Sequence, residues 1–224
     1  MLGYNWDFSF LLAYKDAFVS GLFVTLYISF FSFIAGTLTG SLVGMVVSSV
    51  RFNGVFLLIN DALRAIPVLV MIFFVYYFPY QQILGVPPPN ALYSSIIAMS
   101  ITQSAYTVDL VNSAILNVSK KTISAAQAIG LRDLTIYRYI VLPDVVRQTL
   151  PAQMAFFIGI VRLSSMASVI GADEIVFVAR TAISQNFRSL EAWIVVAVLY
   201  IIIVLPLTYL ARAVERSEWL RRRW

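Results

Sequence analysis

Residues 124–143 read SAAQAIGLRDLTIYRYIVLP. Small residues open the stretch, Gly130 interrupts it, and an amphipathic run follows that closes on Pro143. Just upstream, Ser119 and Thr122 are N-cap residue types, and a glycine such as Gly130 suits the left-handed turn past a helix end. The pattern predicts a short helix, a Gly break and a second amphipathic helix. Pro143 is expected to stop the second helix, because its ring nitrogen has no hydrogen to donate. The stretch lies inside the largest polar segment of the chain, residues 117–148, which apolar windows flank on both sides. A compact helix–turn–helix set between such windows is exposed apolar surface that a partner would cover.

Outward from this segment, windows at 18–50, 63–80, 91–116, 150–171 and 192–210 read as membrane spans. Crossing the hydrocarbon takes about 20 predominantly apolar residues in a helix, and each window meets or approaches that length. Only 12% of the 224 residues are charged and 60% are hydrophobic, with mean hydropathy +0.85. A soluble domain carries about a quarter charged residues, so the deficit points to lipid rather than to one large water-soluble core. A transmembrane β-barrel would show short alternating segments in place of these long runs. The chain therefore reads as an all-α membrane protein with a five-transmembrane-helix bundle. The three prolines of QQILGVPPPN, residues 81–90, make the link between the second and third spans a loop.

Five spans put the two ends on opposite sides, and the basic residues choose which. With the N-terminus outside, the inner segments hold Arg51, Lys120, Lys121, Arg132, Arg138, Arg147, Arg212, Arg216, Arg221, Arg222 and Arg223. The outer segments hold Lys15, Arg180 and Arg188. Eleven against three sets the N-terminus outside and the C-terminus in the cytoplasm, with residues 117–148 cytoplasmic and 217–224 a basic cytoplasmic tail. The net charge of +5 is thereby an orientation signal with contact to lipid headgroups, and no nucleic acid is needed to explain it. Residues 1–17 lack a basic stretch ahead of an apolar run, so they do not read as a cleaved signal peptide. Trp6, Phe8 and Phe10 suit an interfacial helix at the headgroups instead.

Residues 124–143 resemble the "EAA" coupling segment of ABC-importer permeases, matched at Ser124, Ala125, Ala126, Gly130, Leu142 and Pro143. Ser124 stands where the motif has its acidic residue, which removes a charge able to pair with a basic partner. Four further stretches resemble elements of the polar-amino-acid subfamily. VTLYISFFSFIAGTLTGSLVG is similar to its first span, and INDALRAIPVLVMIFFVYYFP to its "FRGTPLLVQLFFIYF" element, at Arg64, Pro67 and Leu69. ITQSAYTVDLVNSAI is similar to "SGAYxxEIxRGxI" at Ala105, Tyr106, Asp109 and Ile115. IVRLSSMASVIGADEI is similar to "LKDTSLxSxIGxxEL" at Ser165, Ser168, Ile170, Gly171 and Glu174. Asn112 stands where the family often has Arg, and Lys121-Thr122 where it has Gly-Gln.

The resemblance covers residues from about 20 to 216 and implies a type I ABC importer permease domain over 18–216. It further implies a plasma-membrane subunit that moves a polar amino acid, with a cytoplasmic coupling helix between the third and fourth spans. The partners it implies are two ABC ATPase subunits, a second permease copy or homologue, and an extracytoplasmic substrate-binding protein. No cofactor, metal or catalytic residue is expected in this chain. ATP would be hydrolysed on a partner, because the sequence contains no phosphate-binding G-x-x-x-x-G-K-[ST] loop.

Arg162 lies inside the fourth window, where a cation costs about 2.5–3.5 kcal/mol at the bilayer centre and so needs a cavity or a partner. The family pattern, with Lys at this place, implies an anchor for a substrate carboxylate; the alternative is an ion pair with Asp109. Ser164 and Ser165 beside it either hydrogen-bond substrate or bond back to helix carbonyls. Asp109 reads as the one well-buried carboxylate and joins this substrate set. Leu163 replaces the usual Asp, which leaves a neutral or acidic substrate, or a carboxylate supplied by a second permease. Arg64, with Pro67, is a gate or helix anchor by resemblance; Arg64 and Asp61 could equally snorkel to the interface. Gly36, Gly40 and Gly44 repeat every four residues and predict close helix–helix contact.

Three other classes fit less well. A secondary transporter would need inverted repeats and broken spans at mid-membrane. An intramembrane enzyme would need a nucleophile or an acid–base pair, and the chain has no His and no Cys. A purely structural subunit leaves the polar coupling-type segment unexplained.

Overall fold

The computed structural model describes residues 5–49 and 54–217. Its helices in chain order are α1 (Phe10–Ser49), α2 (Gly54–Ala65), α3 (Val68–Tyr77), α4 (Tyr80–Ile83), α5 (Ala91–Leu116), α6 (Lys120–Ala128) and α7 (Asp133–Ile136). A π-helical turn (Tyr137–Val141), α8 (Leu142–Leu163), a 3₁₀ segment (Ser164–Ile170), α9 (Ile175–Asn186) and α10 (Ser189–Arg216) complete the chain. No strand occurs among the described residues. Arg51, and all of the expected basic tail beyond Ser217, lie outside them.

The glycine repeat of α1 lies against α5. A Cβ placed on Gly36 would come within 2.6 Å of the Gln103 side chain, and one on Gly40 within 2.5 Å of the Ser104 carbonyl. At Gly44 the nearest atoms, on Val108 and Val111, are 3.0 Å away. Contacts that rise together along both helices mean that α1 and α5 run in the same direction. The chain must therefore cross back between them, and α2 and α3 make that return. Helix α8 runs the opposite way. Its start, Val141 and Val145, packs with Val118 at the end of α5, and Gln153 meets Gln103 in mid-bundle. Its continuation, Ala167, packs with Ile28 and Met99. Helix α10 runs with α1, since Arg188 meets Asp7 and Tyr200 reaches the same carboxylate as Thr25.

By length and apolarity, three helical stretches among the described residues can cross a membrane: 11–49, 133–170 and 189–216. Joining α2 and α3 across their 95° bend gives a fourth. Helix α5 has 26 residues, enough length, but its composition is too polar to pass the same test. Ser94, Ser95, Thr102, Gln103, Thr107 and Asn112 are buried, so its hydroxyls and amides face neighbouring helices. It touches α1, α2, α3, α8 and the 3₁₀ segment.

Three boundaries differ from expectation. The window at 63–80 is broken at Ile66–Pro67, because proline disfavours helical backbone in the residue before it and brings no N–H of its own. Pro143 does not stop a helix; it sits in the first turn of α8, where an N–H has no intrahelical partner to lose. The π turn carries the helix into it, so the segment runs unbroken from Asp133 to Ile170 rather than starting at 150. At the N-terminus, α1 begins at Phe10 and continues through residues 10–17 without a break, so no separate interfacial helix forms there. Trp6 and Phe8 are exposed just ahead of it, with their rings parallel.

In lipid no apolar gain separates helix–helix from helix–lipid contact, so the α1–α5 seam rests on close packing. Gly40→Ala is expected to destabilise the protein by about 1–3 kcal/mol, as overpacking does. A Cβ on Gly159 of α8 meets nothing within 4 Å. Gly159→Ala is therefore expected to be neutral or to stabilise by up to about 1 kcal/mol through helix propensity. Thermal unfolding midpoints of both variants in mild detergent check the contrast.

Candidate functional site

The end of the bundle opposite the N-terminus carries α6 and α7. The Ser119 hydroxyl accepts from the Thr122 N–H at 3.4 Å and caps α6. After Ile129 the chain turns through Gly130 at φ 82°, and the Gly130 and Leu131 N–H groups donate back to the Gln127 and Ala126 carbonyls. This is the expected Gly break, in the left-handed backbone that glycine adopts without a Cβ clash. Ala126, Ile136, Val141 and Val145 form one buried cluster with Val111, Ala114 and Val118 of the α5 end, and Met45 of α1 packs against it. The segment is therefore fixed to three long helices. Its other face is open: Ser124, Ala125 and Gly130 are exposed, and Ile129 and Leu134 are each 78% exposed. Of the six motif residues, Ala126 points inward, and Leu142 and Pro143 are half-buried where the π turn enters α8.

In mid-bundle, Gln103 donates to Gln153 at 3.1 Å and to Thr107 at 3.2 Å, Gln153 donates to Thr107 at 3.2 Å, and Thr37 donates to Gln153 at 3.2 Å. This network ties α1, α5 and α8, each bond worth about 0.6 kcal/mol in a membrane bundle. The sequence reading missed it. Its signal was present as two glutamines inside apolar windows.

Arg64 and Asp109 meet. The guanidinium lies 3.2 Å from the Asp109 carboxylate and 3.5 Å from Asp61, and 5.1 Å above the Tyr106 ring. Tyr106 in turn contacts Phe156 of α8, and Asn60 donates to the Ala105 carbonyl at 3.0 Å. Pro67, which breaks the α2–α3 pair, sits three residues beyond Arg64. Asp109 therefore pairs with Arg64 rather than with Arg162, and its side chain is 45% exposed. The fully buried carboxylates are Glu174 and Glu191 instead. Glu174 caps α9, accepting from the Phe177 N–H at 2.9 Å, from Tyr200 at 3.3 Å and from Thr25 at 3.5 Å. Glu191 accepts from the Asp7 N–H at 3.2 Å and pairs with Arg188. An acidic residue at the start of an apolar helix was the sequence signal for both, Glu174 at the N-cap of α9 and Glu191 in the first turn of α10, because the unsatisfied N–H groups of a helix start donate to or attract a carboxylate.

Arg162 ends α8 on an exposed face, and its guanidinium has no acceptor among the described residues. Ser164 and Ser165 donate to the Val161 and Arg162 carbonyls at 2.8 and 2.9 Å, so both hydroxyl protons return to the backbone. Beyond them the 3₁₀ segment and α9 enclose an open cleft of about 330 Å³, lined by Ser168, Val169 and Gly171 on one side and by Phe177, Arg180, Thr181 and Ser184 on the other. At the end that holds the N-terminus, Arg188 donates to the Asn5 carbonyl at 2.6 Å and lies 3.8 Å from Asp7. The Ser9 backbone N–H holds the Asp7 carboxyl below the usual range, and the Arg188 charge adds to this.

Residues 36–219 match the family described as binding-protein-dependent transport system inner membrane component. The chain is 30% identical over 202 residues to the glutamine transport system permease protein GlnP of Escherichia coli (strain K12), covering 88% of this chain and 91% of that one. It is 30% identical over 221 residues to the nopaline transport system permease protein NocM of Agrobacterium fabrum, covering 95% and 88%. Among solved structures, an amino acid ABC transporter crystallised with histidines superposes with TM-score 0.83 at 26% identity, covering 95% of this chain and 99% of that one. The inward-facing MetNI methionine ABC transporter gives TM-score 0.72 at 20% identity, a likeness of fold. The chain belongs to the binding-protein-dependent transport system inner membrane components and is a multi-pass permease subunit of the plasma membrane, not a catalytic one.

Proposed function

We propose that this permease imports a polar amino acid, driven by ATP hydrolysis on separate subunits. The supporting observation is the coupling segment: an apolar face left open on α6 and α7, whose opposite face is locked to the ends of α1, α5 and α8. A partner closing on that face moves three long helices together. Two ATPase subunits would dock beneath a pair of permeases, either two copies or two homologues, and a loaded binding protein would dock on the outer face. Alternating access then follows from rigid-body rocking of the bundles.

The arrangement has five spans in this reading, with α2 and α3 forming one bent span and α5 the polar, protein-surrounded one. The N-terminus lies outside and the C-terminus in the cytoplasm, which puts α6 and α7 with their basic residues inside. The amino-acid cargo is favoured by the relatives named for glutamine and nopaline transport and by the neighbour that holds histidines. Arg162 would take the substrate carboxylate between two permeases, because its guanidinium faces out of its own bundle without an acceptor. Ser164 and Ser165, their protons spent on carbonyls, would offer lone pairs to the substrate ammonium. Asp109 would hold Arg64 at the α2–α3 bend, with Pro67 as the hinge of a gate.

Two measurements check this. Arg162→Ala should reduce ATP-driven amino-acid uptake in proteoliposomes about tenfold or more, as expected for a lost charged hydrogen bond, with assembly unchanged on gel filtration; normal uptake removes the anchor. A Cβ at Gly130 meets nothing within 4 Å. Its left-handed backbone, φ 82°, makes a side chain there cost about 1–2 kcal/mol. Gly130→Trp should therefore lower the thermal midpoint modestly but leave the bundle folded, while ATP hydrolysis no longer responds to the loaded binding protein. Unaltered coupling removes the docking role of the segment.

A further inference from the structure

We infer that the cleft between the 3₁₀ segment and α9 is a second, outer subsite for the substrate, in which Arg180 receives an amino acid's carboxylate before Arg162 does. The inference rests on the amino-acid import reading above.

Three observations carry it. First, the Arg180 guanidinium lines the cleft and has no hydrogen bond or ion pair among the described residues. The other outer arginine, Arg188, is by contrast saturated by Asp7, Glu191 and the Asn5 carbonyl. Second, the hydroxyls around Arg180 are arranged as acceptors. Ser168 donates to the Ser165 carbonyl at 2.8 Å, Thr181 to Phe177 at 3.0 Å and Ser184 to Thr181 at 2.7 Å. Their protons point back into their own helices and their lone pairs remain. One free guanidinium beside hydroxyl lone pairs and the Phe177 ring is complementary to a zwitterion, with carboxylate to Arg180 and ammonium to the hydroxyls. The volume of about 330 Å³ lies at the small end of ligand cavities, fitting a single amino acid.

Third, the cleft lies in line with Arg162. Within residues 161–170 the two exposed side chains are Arg162 and Val169, and Val169 forms one wall of the cleft. Seven residues of α-helix passing into 3₁₀ separate them by roughly 13 Å along the axis. Since α8 runs towards the end that holds the N-terminus, the cleft lies on the outer side of Arg162. A carboxylate leaving a binding protein would thus meet one free cation and then a second, with no third unpaired guanidinium needed between them.

The test uses the assembled transporter with its ATPase and binding protein in proteoliposomes. This chain has no cysteine, so Arg180→Cys gives it a single thiol. L-glutamine, L-glutamate and L-arginine serve as probes. Arg180→Cys should lower uptake about tenfold, the loss expected for a charged hydrogen bond, with an unchanged thermal midpoint, and Arg180→Lys should retain most uptake. A methanethiosulfonate reagent bearing an ammonium should restore uptake to Arg180→Cys, whereas one bearing a sulfonate should not; the wild-type transporter, treated identically, corrects for cysteines on partners. The transported amino acid should also slow labelling of the introduced thiol, and its carboxamide should not. Unchanged uptake in Arg180→Cys, or equal recovery with both reagents, overturns the subsite. So does a loss that extra binding protein abolishes without any protection by free amino acid, which would assign Arg180 to an acidic patch on the binding protein. A wild-type transporter that takes up none of the three overturns the amino-acid reading itself, and that outcome is visible before any variant is made.

Discussion

Where Gly36 and Gly40 of α1 meet α5 there is no room for a side chain. The two backbones come so close there that a methyl group would lie 2.5–2.6 Å from atoms of Gln103 and Ser104. Inside a bilayer this closeness matters more than in water, because lipid tails solvate apolar side chains as well as a neighbouring helix does. Two parallel helices packed so tightly form a plank, and the other elements are arranged around it. The return through α2 and α3 follows from the parallel direction. So does the antiparallel α8, whose Gln153 joins the plank at Gln103 and Thr107.

From that plank the two ends of the molecule acquire different jobs. At one end, Met45, Val111, Ala114 and Val118 give α6, α7 and the start of α8 a dry seat, and this is what makes a push on the exposed face a push on the whole bundle. At the other end, Glu174 gathers the α9 N-terminus, Tyr200 and Thr25, while Arg188 pins the N-terminal segment to α10. Most buried polar groups have a partner nearby, as a bilayer requires, whereas Asn112 Oδ1, Asn186 Nδ2 and the Arg64 Nε have no hydrogen bond among the described residues. Arg162 and Arg180 are exposed guanidiniums without an acceptor among the described residues.

Much of this was legible in the residues. The helical class, the family, the Gly130 turn, the Ser119 cap and the glycine seam follow from local chemistry that tertiary structure does not override. Other features depended on neighbours that a linear pattern does not reveal. The Pro67 break was visible as a proline but not as a 95° bend, because its angle is set by what α2 and α3 pack against. Pro143 was misread because a proline that ends one helix and a proline in the first turn of the next look alike until the π turn joins them. Asp109 read as the one well-buried carboxylate and as an alternative partner for Arg162 because both lie deep in the sequence windows, while the fold brings Arg64 to it from α2. Phe187, 85% exposed in left-handed backbone at φ 57°, carried no sequence signal at all, since that conformation favours glycine or asparagine.

The central claim is that the open face of α6 and α7 seats an ATPase, and composition of the purified assembly tests it most directly. The chain is extracted in mild detergent through a tag of its own, and the subunits that accompany it are identified and counted by mass spectrometry. The account predicts a P-loop ATPase in two copies with two permease chains, either identical or homologous. A permease recovered alone under gentle conditions, whose uptake in vesicles follows an ion gradient without ATP, would contradict it.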